Sequence, residues 1–182
     1  MGKNILIGGI GNVLLGDDGV GPYVARVLDA CFEFETGVEV EDLGTPALDL
    51  IDRLSGKDAV ILIDSVDTDD EPGTVMLYRK ADLMRLRPSV RMDPHSPALV
   101  DALLSAELFG VAPTEMLLVG IKAESFENGS SLSAVVTSSL FHTIAAVLEE
   151  LDRLGVSYQV REQARDLDTW WTNDRATEAS VC

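Results

Sequence analysis

Three side chains in this sequence have the types and the surroundings to hold a divalent cation: Asp18, Asp64 and His95. Asp18 is the second of two adjacent acids in GIGNVLLGDDGVG, residues 9–21, a stretch with five glycines that follows the first apolar run. Asp64 lies near the end of the aliphatic run DAVILIDSV at 58–66, and Pro94 and Pro97 bracket His95 in MDPHSPAL. Two carboxylates and an imidazole form a mixed oxygen and nitrogen donor set suited to a divalent transition metal. Three protein ligands leave coordination positions open for water or substrate. Since the acids must be ionised and the imidazole neutral, affinity for the metal would weaken on acidification.

Each residue also has an ordinary reading. One acid of the pair could cap a helix over 20–33, which stabilises by roughly 0.5–2 kcal/mol. A second carboxylate beside it is harder to explain, because like charges held together oppose each other's ionisation unless a cation neutralises them. Asp64 could bond to loop amides, and His95 could be structural. The other histidine, His142, falls inside a long helical pattern, where a structural role is expected.

The elements that would position these residues follow from apolar periodicity. Strands are expected at 4–10, 37–43, 58–66, 73–79 and 115–121, and helices at 20–33, 46–54, 97–110 and 131–154. The continuous aliphatic run at 58–66 predicts the sheet centre, since a strand covered on both faces needs no polar alternation. Strands alternating with helices predict an α/β fold of three αβα layers, with a mostly parallel central sheet of about five strands. Ligands in such folds bind beyond the carboxyl ends of the strands, where Asp18 and Asp64 would lie. One domain over residues 1–155 is expected, with a polar, unstructured tail at 156–182 that contains Trp170 and Trp171.

Several classes are disfavoured. A dinucleotide site would use the glycines after the first strand, with Glu41 or Asp42 on the ribose, but the sixth position from Gly9 is Leu14 and no phosphate-loop lysine pattern occurs. Asp17 and Asp18 would also repel phosphate from a helix start. The 31 acids against 14 bases give a formal charge of −17, so no nucleic acid is expected as a partner. No membrane span and no signal peptide are read, and Cys31 and Cys182 are expected as free thiols, which together predict a cytoplasmic protein.

The glycine-rich stretch resembles the G-x-G-N-x-L-x-x-D-(D/E)-G-x-G signature of the NiFe-hydrogenase maturation endopeptidases. Asp64 after the third strand and His95 in its Pro-His loop fall at that family's other two metal-binding positions, and the likeness spans about residues 4–154. The resemblance implies a hydrolase, an endopeptidase that removes the C-terminal extension of the nickel-loaded hydrogenase large-subunit precursor. By matching position, Asp18, Asp64 and His95 would engage nickel carried by that precursor, with no nucleotide cofactor and with the protease itself a monomer. Gly44 and Thr45 fall in a loop that would contact the precursor. A non-catalytic metal- or partner-binding module stays open as the alternative, and a nucleotide-binding oxidoreductase ranks below it.

Overall fold

The computed structural model describes residues 2–46, 49–85, 96–129, 131–167, 169 and 171. In chain order its elements are β1 (Ile5–Ile10), a 3-10 turn (Gly16–Gly19), α1 (Val20–Cys31), β2 (Phe32–Phe34), β3 (Val38–Gly44), α2 (Leu50–Leu54), β4 (Ala59–Val66), β5 (Val75–Arg79), α3 (Lys80–Leu83), α4 (Ser96–Phe109), β6 (Glu115–Lys122), α5 (Ala134–Leu154) and β7 (Tyr158–Val160). Five strands form one sheet in the order β3-β1-β4-β6-β5, parallel throughout except for β5 against β6. As its composition requires, β4 is the middle strand, and all eight of its residues are buried.

Alternate strand residues enter opposite layers. Ile5, Ile7, Ile61, Ile63, Leu117 and Val119 pack with α1 and α5, whereas Leu6, Val60, Leu62, Met116 and Leu118 pack with α2 and α4. The chain passes from β1 through α1 to β3 on one side, then through α2 to β4 on the other. Strand order therefore reverses between β1 and β4, and the crevice beyond a reversal is where open α/β sheets bind ligands. The glycine-rich stretch leaves β1 there, and Asp64 approaches the end of β4 there. α1 sits very close to both strands: a Cβ on Gly21 would collide with the carbonyl oxygens of Ile10 and Ile63.

Three expectations need correction. α1 stops at Cys31, and the next three residues form β2. The tail does not become unstructured at 156: β7 pairs antiparallel with β2, and Tyr158 meets the Phe32 ring edge-on with centroids 6.1 Å apart. Beyond β7, the backbone N–H groups of Arg161 and Arg165 donate to the carbonyls of Cys31 and Ala30, groups that a helix end leaves unsatisfied. Periodicity misses this segment because a three-residue ribbon and a helix cap leave no repeating apolar pattern. Trp171 is buried, while Trp170 and Cys182 lie outside the described residues. Cys31, expected as a free thiol, is disulfide-bonded. The 21-residue α5 is long and apolar enough to cross a bilayer by length and composition, but Val136, Leu140, Ile144, Val147, Leu151 and Leu154 face the core.

An ion cluster ties the antiparallel edge of the sheet to α5. Glu150 is buried and accepts hydrogen bonds from Arg79 Nη1 on β5 at 2.6 Å and from Arg153 Nε at 2.9 Å, and Arg153 also reaches Glu115 at 2.8 Å. Burial pushes the Glu150 carboxyl up, but the hydrogen bonds from Arg153 and Arg79 outweigh it and hold the group below its ordinary 4.5. A depressed folded-state value means that the stabilisation is complete above the unfolded value and is lost as pH falls through the folded one. Glu150→Ala should destabilise by about 1–2 kcal/mol at neutral pH, less than for a fully buried pair because both arginines are half-exposed. The gap in unfolding midpoint between variant and wild type should narrow on acidification, and a gap that does not change with pH would contradict the clamp.

Candidate functional site

After Ile10 the chain turns sharply at Gly11, whose φ of +138° and close approach to the Asp18 carbonyl oxygen leave no room for a side chain. The Gly11 N–H donates to the Gly44 carbonyl at 2.8 Å, which fixes the turn against the end of β3. Gly44 and Thr45 thus border the glycine-rich loop. Asn12 shapes the next step: its Oδ1 accepts the Leu14 N–H at 3.0 Å, and its own N–H donates to Asp18 Oδ2 at 2.8 Å. The Gly16 N–H then donates to the Gly129 carbonyl at 2.7 Å, joining this loop to the one between β6 and α5.

The two acids, adjacent in sequence, serve different elements. Asp17 Oδ2 accepts the backbone N–H groups of Glu124 at 2.9 Å and Ser125 at 3.1 Å, and its Oδ1 accepts that of Ser133 at 2.6 Å. It is a buried clip that holds the β6–α5 loop and the start of α5. Asp18, fully buried, accepts the Asn12 N–H on one oxygen and the Ser65 hydroxyl on the other, both at 2.8 Å. Neither acid caps α1, whose N-cap is Gly19 with no side-chain hydrogen bond, so the capping reading does not hold. Both carboxylates nonetheless sit in the turn that opens α1, where the helix field favours negative charge.

Asp64 is buried near the end of β4. Strand alternation puts it on the face of Leu62 and Val66, towards α4, and puts Ser65 on the face of Ile61 and Ile63, towards α1. The structure therefore brings Asp18 to the residue next to Asp64, each acid approaching the strand end from its own face. His95 lies outside the described residues, directly before α4 begins at Ser96. Among the described residues no group of three histidine, cysteine or acidic side chains is placed to hold a metal. His142 is exposed and meets the Phe141 ring edge-on, away from the core stripe of α5. Asp67 pairs with Lys122, and Asp70 accepts from Thr68 in an exposed turn, as a solvated loop should.

Two contributors escaped the sequence reading. The Asp17 clip depends on a loop more than 100 residues away in sequence and leaves no local trace. Ser65 did leave one: a hydroxyl in an otherwise aliphatic buried strand must find a partner, and alternation aims it at α1. Removing Asp17 leaves three backbone donors without their acceptor, so Asp17→Ala should cost about 2–4 kcal/mol in chemical denaturation, at roughly 1 kcal/mol or more per lost bond. A midpoint equal to wild type would remove the clip.

The comparisons with known proteins agree with this architecture. Residues 22–150 match the family described as hydrogenase maturation protease. The hydrogenase expression/formation protein HoxM of Azotobacter vinelandii is 34% identical over 160 residues, which cover 87% of this chain and 77% of that protein. The hydrogenase 2 maturation protease of Escherichia coli K12 is 30% identical over 163 residues, covering 89% and 99% respectively. The solved structure of the E. coli hydrogenase maturating endopeptidase HybD matches with a TM-score of 0.80 at 28% identity, over 87% of this chain and 98% of that one. With the sheet order, the reversal between β1 and β4, and the acid-bearing glycine loop on the page, these likenesses show that the chain belongs to the hydrogenase maturation protease family and is an endopeptidase of that family.

Proposed function

We propose that this endopeptidase removes a C-terminal extension from the precursor of a NiFe-hydrogenase large subunit after nickel has been inserted, and that the substrate's own nickel is what it recognises. The observation that carries the reading is the placement of Asp18, held at both oxygens and bonded to Ser65, the residue after Asp64, where the strand order reverses. The donor set is hard oxygen with one imidazole if His95 joins it, which suits a divalent transition metal with positions to spare. In this reading Asp18, Asp64 and His95 complete the coordination of nickel already held by precursor cysteines, so a precursor without metal lacks the feature being read. The substrate's metal can polarise the scissile carbonyl or activate water.

The chain's own residues are arranged for recognition and orientation. Cys31 is buried within α1 and disulfide-bonded, so it is not a nucleophile. The dinucleotide alternative fits poorly, because the Asn12 N–H that a phosphate would need is committed to Asp18, and the N–H groups of Glu124, Ser125 and Ser133 are committed to Asp17. The loop at Gly44 and Thr45 borders the same crevice and is the natural contact for the flanking precursor chain. In this reading the protease acts as a monomer, and the disulfide at Cys31 removes the free-thiol argument for a cytoplasmic location.

Purified protein mixed with nickel-loaded and nickel-free precursor should release the C-terminal peptide only from the loaded form, as read by mass spectrometry. Asp18→Asn, Asp64→Asn and His95→Ala should fold and yet process more slowly by more than the roughly 10–100-fold that loss of an outer partner of a metal ligand costs. Equal cleavage of both precursor forms, or wild-type rates in all three variants, would reject the nickel-recognition reading.

A further inference from the structure

We propose that Ser65 is a positioning residue whose hydroxyl fixes the orientation in which Asp18 meets the substrate's nickel, an inference that rests on the function proposed above. Ser65 has no exposed surface and sits on a strand face otherwise made of Ala59, Ile61 and Ile63. A hydroxyl there costs stability unless it is hydrogen-bonded, and its partner is Asp18 Oδ1 at 2.8 Å. The second anchor, the Asn12 N–H, takes Asp18 Oδ2 at the same distance.

A carboxylate held at one oxygen can still swing about its terminal torsion. One held at both oxygens, from two different elements, cannot. The two donors come from the loop after β1 and from β4, the strands that flank the reversal, so the Asp18 plane is set relative to both. Each carboxylate oxygen can accept more than one contact, so a hydrogen bond at an oxygen does not by itself bar a cation from it. Ser65 also follows Asp64 directly: a single strand end then carries one ligand on its α4 face and orients the other from its α1 face.

The test compares steady-state processing by wild-type protein and Ser65→Ala. It reads KM and kcat for nickel-loaded precursor, and the inhibition constant of nickel-free precursor as a competitor. Wild type should show a KM for the loaded form far below the inhibition constant of the nickel-free form. Ser65→Ala should raise that KM about 10–100-fold, the usual cost of losing an outer partner of a metal ligand, and leave the nickel-free inhibition constant unchanged. The unchanged competitor doubles as evidence that the variant is folded, and Ser65→Thr, which keeps the hydroxyl, should retain the wild-type KM. An unaltered KM in Ser65→Ala, an equal weakening towards both precursors, or a loss confined to kcat would each overturn the assignment. If wild type itself fails to distinguish the two precursors, the failure lies with nickel recognition and not with Ser65.

Discussion

At Gly21 the first turn of α1 lies so close to the carbonyl oxygens of Ile10 and Ile63 that a single methyl group would collide with both. Gly9 on β1 is subject to the same constraint from the other side, because a Cβ there would strike the Gly21 carbonyl. This backbone contact fixes how near the helix start can come to the ends of β1 and β4. Everything at the site inherits its position from it: the turn Gly16–Gly19 is carried over the strand ends, and Asp18 arrives within hydrogen-bond distance of Ser65. The glycines are therefore packing devices first, and a phosphate loop's composition is reused without its phosphate.

The acid pair then divides the work that such a turn demands. Burying two carboxylates is unfavourable unless their charge is met by donors or by a cation. Asp17 meets this with three backbone N–H groups from the β6–α5 loop, and so becomes part of the scaffold. Asp18 has donors at both oxygens, and one of them, Ser65, directly follows Asp64 at the end of β4. The first acid makes the loop rigid enough for the second to be aimed. Far from the crevice, Glu150 solves the same problem of a buried acid with two arginines, and there the result is a structural clamp on the sheet edge.

Much of this was legible in the residue pattern, for identifiable reasons. The buried run of β4 names the central strand because only a doubly covered strand can be aliphatic throughout, and strand–helix alternation implies a mostly parallel sheet and points to its carboxyl edge. The acids at 17 and 18 signalled something other than phosphate binding. What stayed hidden depends on contacts distant in sequence. The role of Asp17 is defined by amides beyond residue 120, β7 is stabilised by pairing with Phe32–Phe34, and the segment after it caps α1, neither of which leaves a period to read. His95 falls outside the described residues, so its place in the constellation rests on the sequence alone.

The central claim is that the oxygen donors at the β1/β4 reversal bind the metal of another protein. X-ray absorption at the nickel edge reads that claim directly, with nickel-loaded precursor frozen alone and frozen with this protein. The account predicts that complex formation adds oxygen and nitrogen neighbours to the nickel, and that Asp18→Asn and Asp64→Asn each diminish the added oxygen shell. A nickel spectrum that is unchanged when the complex forms would contradict it.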